Sequence, residues 1–218
     1  MPDAPATTDP PTARTRVRRL AERGRYDSGT VHAILDEGLV AHVGFTADHG
    51  PCVLPMAYTR VGDALYLHGA TGNAMLRALD DADVCVTVTL LDGLVLSRSA
   101  FHHSMNYRSV VVFGRAVTVT DVGEKEQALA GIVDHMVVGR SAECRPPTAD
   151  ELRATRVVRV PLTEASAKVR TGPAKEDAAD LDPPVWWGGV IPVTVVLGEP
   201  EPDSHRGPSV RSTGRQAR

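Results

Sequence analysis

The chain has 218 residues, of which 42% are hydrophobic and 23% are charged. That length suits one domain of about 150 residues with flanking segments. Its 24 basic and 27 acidic side chains give a net charge of -3, which does not favour nucleic acid as a partner. No apolar run approaches the ~18 residues of a transmembrane helix, and the first residues lack the pattern of a signal peptide. We therefore expect no association with a membrane.

Three cysteines, Cys52, Cys85 and Cys144, are widely spaced and form no CxxC motif. An odd number of separate cysteines is typical of reduced thiols rather than of a disulfide framework. The cysteine pattern therefore predicts a cytoplasmic protein.

Proline is concentrated at both ends of the chain, from Pro2 to Pro11 and again from Pro173 to Pro208. We predict a basic, largely flexible N-terminal arm over residues 1–25 and a folded domain over 26–172. A Pro-rich tail follows over 173–218 and is expected to be partly ordered to about residue 197. Within it, Trp186 and Trp187 indicate docking on the core or on a second subunit.

The folded domain is predicted to combine short strands with small helices. Residues 27–36 begin with cap-like residues and place Val31, Ile34 and Leu35 on one helical face. Alternating and β-branched patterns predict the strands, whereas spacings of three and four residues predict the other helices. The predicted strands run over 39–46, 52–60, 64–68, 84–90, 110–120, 155–162 and 164–170. The other predicted helices run over 73–80 and 123–137, and residues 146–152 open a further short helix. Such short strands with helices at the corners favour a closed or partly closed barrel.

The first candidate site is the segment 65–77, in which a strand ends in a Gly-containing loop and enters a helix. Backbone N–H groups, hydroxyl and amide side chains and the helix dipole together favour phosphate binding. An ordinary strand–helix turn remains an alternative for this segment.

The second candidate site is a dense polar run between apolar strands, within residues 94–114. So many donors cost stability if they are buried without partners, so either a polar ligand or a wet loop must satisfy them. We expect no metal site, because adjacent side chains such as His102 and His103 point to opposite faces of an extended segment. The run contains Ser97, Arg98, Ser99, His102, His103, Ser104, Asn106, Tyr107, Arg108 and Ser109.

Three stretches in this order carry a family resemblance: LYLHGATGNAML at 65–76, DGLVLSRSAFHHSMNYRSVVVFG at 92–114 and EASAKVRTGP at 164–173. They resemble the pyridoxamine 5'-phosphate oxidase-like, FMN-binding split-barrel family, and within it the nitroimidazole-resistance-like branch. The resemblance implies an α+β, mainly β fold: a six-stranded antiparallel split β-barrel with small flanking helices. It also implies a homodimer that holds FMN at the subunit interface.

The resemblance assigns cofactor-binding roles to residues along the chain. It places a phosphate and ribitol site at the first segment, the flavin ring at one strand and the polar run, and the closing residues on the last strand. Many relatives carry a lysine after the glycine of the phosphate loop, and here Arg77 is the nearest cation that could replace it. The residues implied are Val53, Leu54, Pro55, Met56, His68, Thr71, Asn73, Arg77, Ser97, Arg98, Ser99, Arg108, Ser109, Lys168 and Arg170.

The resemblance implies an FMN-dependent oxidoreductase acting on a small molecule such as a nitro compound, with the flavin supplying the redox chemistry. His102 or His103 is a candidate proton donor, although both could instead cap the loop or pack at the dimer interface. A haem with a histidine axial ligand, or a deazaflavin, is an alternative cofactor on the same fold. A non-catalytic flavin-binding carrier or regulator is a further alternative. Pyridoxamine-phosphate oxidase activity itself is disfavoured, because fold does not imply function.

Overall fold

The computed structural model describes residues 9–183 and 185–204. Across these residues the chain forms four α-helices and ten strands. The helices are α1 Ser28–Glu37, α2 Ala74–Ala78, α3 Val122–Met136 and α4 Ala149–Ala154. The strands are β1 Gly24–Arg25, β2 Ala41–Ala47, β3 Gly50–Met56, β4 Tyr58–Val61, β5 Ala64–Ala70, β6 Ala82–Leu96, β7 Ser104–Thr118, β8 Thr155–Pro161, β9 Glu164–Arg170 and β10 Gly189–Pro192.

All strand pairs are antiparallel, in the order β3-β2-β6-β7-β8-β5-β4, with β9 also on β7, β1 on β9 and β10 on β6. The 15-residue strands β6 and β7 form the central hairpin. The first part of β7 pairs with β9, whereas Val117 and Thr118 pair with β8. One long strand therefore serves two parts of a sheet that does not close, which confirms the α+β, mainly β split barrel.

The described residues contain ten strands, more than the seven that local patterns predict and the six that the resemblance implies for the barrel. The predicted strand over 52–60 divides at Ala57 into β3, which pairs with β2, and β4, which pairs with β5. Pro51 and Pro55 lie in β3, an edge strand, where proline costs no ladder hydrogen bond. The flanks add β1 and β10, which no local pattern predicted.

The core lies where α1 packs against the inner faces of β6 and β7. Val31, Ile34 and Leu35 of α1 are buried, which confirms the predicted helical face. Tyr58 is fully buried, and its hydroxyl donates to the carbonyl oxygens of Leu35 at 2.6 Å and Gly38 at 3.1 Å. This hydroxyl therefore ties the end of α1 to β4.

Helix α3 differs from its predicted apolar face. Asp121 caps its first turn by accepting from the Glu124 N–H at 2.7 Å. Ala128 and Ile132 are its buried residues, whereas Met136 of the predicted stripe is 47% exposed. Helix α3 packs closely on β4 at Gly131, where an added Cβ would lie 3.2 Å from Thr59.

The arm and the tail both pack on the barrel. In the arm, Arg14 forms an ion pair with Glu164 of β9, and β1 pairs with β9. In the tail, β10 extends the sheet beside residues 93–96 of β6. Residues 1–8, 184 and 205–218, which belong to the predicted arm and tail, lie outside the described residues. In the described part of the chain, no helix is both long and apolar enough to cross a membrane.

Candidate functional site

Most backbone N–H groups of the loop between β5 and α2, and of the first turn of α2, already have acceptors within the described fold. Asn73 caps α2, its Oδ1 accepting from the N–H groups of Met75 at 2.9 Å and Leu76 at 3.4 Å. The N–H of Thr71 donates to Ala154 of α4 at 2.8 Å. The loop itself is exposed. A phosphate at this loop would therefore depend on side chains such as the Thr71 hydroxyl more than on the helix terminus.

Arg77 lies beside the same loop. Its Nη1 donates to the carbonyl oxygen of Gly72 at 2.8 Å, which folds the guanidinium back from α2 onto the turn. The guanidinium of Arg77, one helical turn beyond the position of the missing lysine, therefore lies at this turn. Arg77 and Thr71, both predicted cofactor residues, are brought to one loop.

His68 stands on β5, just before the loop that carries Thr71, and its ring is half-buried. Its Nδ1 is enclosed and has no hydrogen-bond partner among the described residues. Burial lowers the pKa of His68, so the neutral imidazole is favoured at neutral pH. A neutral ring with an unengaged nitrogen is the form that can bind a metal ion.

Ser97, Arg98 and Ser99 follow β6. The first two of them form hydrogen bonds with a residue of the tail. The carboxylate of Glu176 accepts from Ser97 Oγ at 2.8 Å, from Arg98 Nη1 at 3.0 Å and more weakly from the Arg98 N–H. Although burial alone would raise the pKa of Glu176, these hydrogen bonds hold it below its ordinary value. Ser99 instead accepts from the N–H of Phe101 at 3.2 Å and caps the short turn Ala100–His102.

The two candidate proton donors have different surroundings. His102 Nε2 lies 3.0 Å from Asp177 Oδ2, so the tail engages this ring as well. His103 Nδ1 lies 3.1 Å from the carbonyl oxygen of Ser99. Because a carbonyl only accepts, Nδ1 of His103 must donate its hydrogen to this bond.

Arg108 and Ser109 lie on β7, in the part that pairs with β9. Arg108 bridges two carboxylates, with bonds of 2.8 Å to Glu37 of α1 and of 2.8 and 3.0 Å to Asp92 at the bulge of β6. The hydrogen bonds that Arg108 donates to Glu37 and then to Asp92 raise its pKa. Ser109 donates to the Lys168 carbonyl at 3.4 Å. In the structure, Arg108 thus joins α1 to the central hairpin.

Edge strand β3 presents an apolar surface, with Val53 65% and Leu54 43% exposed. Pro55 is exposed, and Met56 is half-buried. The four residues predicted to lie along the flavin ring are therefore contiguous on one strand that is free to meet a planar ligand or another chain.

On β9, the two predicted cofactor-binding cations, Lys168 and Arg170, have different partners. Lys168 donates to the Arg19 carbonyl of the arm at 3.2 Å. Arg170 is buried and donates to Asn106 of β7 and to the carbonyls of Gly172 and Pro173 at 3.1 and 3.0 Å. Arg170 also lines a cavity of about 400 Å³.

Sequence reasoning did not identify the acidic partners of the polar run, Glu176 and Asp177. They lie in a stretch whose composition indicates a tail, far along the chain from Ser97 and His102. No group of three or more His, Cys, Asp or Glu side chains in the described ranges could hold a metal ion.

Comparisons with known proteins place the chain in a family. Residues 27–169 match the family profile described as Pyridoxamine 5'-phosphate oxidase. None of the curated proteins matches the chain significantly. Among solved structures, the flavocytochrome Anf3 from Azotobacter vinelandii is 41% identical with a TM-score of 0.87, over 94% of this chain and 96% of that one.

Two further structures are similar over less of the chain. The FAD and heme binding protein from Mycobacterium smegmatis is 33% identical with a TM-score of 0.79, over 84% of this chain and 89% of that one. A Bacteroides thetaiotaomicron protein named for 5-nitroimidazole antibiotic resistance is 26% identical with a TM-score of 0.56, over 67% and 86%. The profile match and the relatives from Azotobacter vinelandii and Mycobacterium smegmatis show that this chain belongs to the pyridoxamine 5'-phosphate oxidase family.

Proposed function

We propose that this chain is a cytoplasmic, homodimeric flavin-dependent oxidoreductase that carries haem as a second redox group. The observation that carries the proposal is the extent of the similarity to the Azotobacter vinelandii flavocytochrome. It covers 94% of the chain, which is more than the profile match over 27–169, so the arm and the tail take part in it. The Mycobacterium smegmatis relative, 33% identical, is named for binding both FAD and heme.

The loop between β5 and α2 fits the phosphate end of a flavin. It offers the exposed hydroxyl of Thr71 and the guanidinium of Arg77, and a cation beside a hydroxyl is a common phosphate site. Gly72 leaves the approach open, since a Cβ there would meet nothing within 4 Å. The resemblance favours FMN, whereas the Mycobacterium smegmatis relative is named for FAD. Chemical analysis of the released flavin must therefore distinguish FMN from FAD.

His68 would hold the iron of a haem. Histidine is a common haem ligand, and the ring must be neutral to coordinate iron. The lowered pKa of His68 meets that requirement, because burial favours the neutral ring. This role replaces the one implied by the resemblance, in which His68 lies near the phosphate and ribitol of the flavin.

The remaining site residues would position the flavin and move protons. A bound flavin supplies hydride or single-electron transfer. Val53 and Leu54 offer an apolar surface that would exclude water from the ring. His103 would exchange a proton with the substrate through Nε2, because its Nδ1 hydrogen is bonded to the Ser99 carbonyl.

The homodimer is supported by the apolar side chains left on the surface. Phe101 is 88% exposed, Trp186 64% and Trp187 65%, in addition to the exposed residues of β3. Exposed apolar patches of this kind mark interaction sites. A second copy would cover them, consistent with a cofactor bound between subunits.

As substrate we propose a small electrophile such as a nitro compound. The support is the similarity to the Bacteroides thetaiotaomicron protein named for 5-nitroimidazole resistance. Turnover of a panel of nitroaromatics, quinones and pyridoxal vitamers under reducing conditions would test this choice.

The absorption spectrum of the purified protein tests the cofactor proposal. We expect the two visible bands of a flavin together with a Soret band, and mass spectrometry of the released flavin distinguishes FMN from FAD. A preparation reconstituted with haem and each flavin that shows neither set of bands would overturn the proposal.

The His68→Ala variant tests the assignment of the haem ligand. It should lose the Soret band while retaining the flavin, whereas the His49→Ala control, on the exposed β2–β3 turn, should keep both. Loss of flavin with an intact Soret band in His68→Ala would instead place His68 at the flavin, as the resemblance implies.

A further inference from the structure

A cavity of about 400 Å³ lies where the end of β9 and the following turn meet the arm. Three cationic side chains line it, those of Arg23, Arg170 and Lys175, against one carboxylate, that of Glu22. In the described part of the chain, neither Arg23 nor Lys175 forms an ion pair. The cavity therefore carries excess positive charge in a chain whose net charge is -3.

Arg170 is the buried one among the three cations that line this cavity. Its side chain belongs to a residue that is only 8% exposed, yet it forms no salt bridge with a described carboxylate. All its hydrogen bonds within the described residues go to neutral oxygens, those of Asn106, Gly172 and Pro173.

Donor capacity remains on one edge of the Arg170 guanidinium. Its Nε is enclosed without a partner among the described residues, and its Nη2, with two hydrogens, makes one bond. The same Nε and Nη2 atoms hold the carboxylates of Asp36 on Arg60 and of Asp92 on Arg108 in this chain. At Arg170, no described residue supplies the corresponding acid.

A buried cation without a counter-ion is costly, so such groups are normally paired. Burial, and then repulsion from Arg23, lower the pKa of Arg170, although an arginine keeps its proton at neutral pH. The neutral oxygens around Arg170 hold its position but supply no negative charge. An anion entering the cavity would supply it.

We propose that this cavity binds a small molecule through a phosphate or carboxylate group. Arg23 and Lys175 would form ion pairs with the anion next to Arg170. The site is separate from the loop around Thr71 and Arg77, and only its occupation by a cofactor rests on the proposed function. The anion belongs either to a soluble ligand or to the flavin or haem itself, and the experiment distinguishes these sources.

The test is titration calorimetry on the purified protein with its cofactors, using pyrophosphate and citrate at low ionic strength. We expect saturable binding of one anion per chain. Arg23→Gln and Lys175→Gln should each weaken binding about tenfold, since both remove one charge-assisted contact. Neither side chain is bonded within the described fold, so both variants should remain folded. The Arg153→Gln control removes an exposed cation on α4 that pairs with Asp150, and it should bind as wild type does.

The two sources give different results. Binding of the free anions with unchanged flavin and haem content supports a soluble ligand. Loss of flavin or haem in Arg23→Gln and Lys175→Gln, without binding of free anions to the wild type, supports an anionic group of the cofactor. The proposal is overturned if the free anions do not bind and both variants retain their cofactors, or if the variants bind the anions as well as wild type.

Discussion

The hydroxyl of Ser97 donates to the carboxylate of Glu176 at 2.8 Å, although 79 residues separate them in the chain. Together with the Arg98 contacts, this bond fixes the start of the tail at the end of β6. The tail then turns back and adds β10 to the same strand. One carboxylate thus links the tail to residues that the sequence associates with a flavin.

The Glu176→Gln variant should loosen the tail while leaving the barrel folded. The neutral amide loses the charge-assisted hydrogen bonds to Arg98. Both tryptophans of the chain lie in the tail, so tryptophan fluorescence anisotropy should fall, while far-ultraviolet circular dichroism stays the same. Glu199→Gln, in the exposed end of the tail, is the matched control. Equal anisotropy in the wild type and both variants would show that Glu176 does not hold the tail.

Acid should destabilise the protein through His68. Because burial lowers its pKa in the folded state, the folded protein binds fewer protons than the unfolded chain as pH falls below about 6.5. Stability is therefore unaffected by His68 above that pH and declines below it. In His68→Asn, which cannot be protonated, the fall in melting temperature between pH 7 and pH 5 should be smaller. Parallel profiles for wild type and variant would contradict this.

Replacing Arg108 by methionine should destabilise the fold by about 1–2 kcal/mol, since it leaves Glu37 and Asp92 facing each other without a cation. The loss is modest because the Arg108 side chain is 31% exposed and solvent screens the charges. Urea denaturation measures the change. Arg153→Met removes an exposed pair on α4 and should give no measurable shift in the midpoint. Equal midpoints for both variants would mean that the bridge contributes nothing.

The sequence predicted those elements whose pattern is local. The buried face of α1 over Val31, Ile34 and Leu35 was correct, as were the strands that became β8 and β9, because side-chain spacing alone determines them. The family resemblance added the fold class. Arg77, considered as a substitute for the family's loop lysine, does form a hydrogen bond with the loop at Gly72.

The parts that were missed depend on distant neighbours. Residues 104–109 are mostly polar and lack alternation, yet they form the start of β7 because β6 pairs with them and β9 pairs with them from Tyr107 onward. Residues 189–192 become a strand only because β6 is long enough to receive them. The partners of Ser97 and His102 lie in the tail, and no spacing rule connects residues so far apart.

Strand β10, which the tail adds to the sheet, also protects the protein from aggregation with other chains. An exposed strand edge offers unpaired N–H and C=O groups to other chains and so promotes aggregation. At residues 93–96 of β6 that edge is covered by β10, and Gly93 permits the close fit, since a Cβ there would lie 3.1 Å from the Ile191 carbonyl oxygen. A chain cut after residue 172 would uncover this edge. The tail is therefore a built-in safeguard of solubility as well as a partner of the polar run.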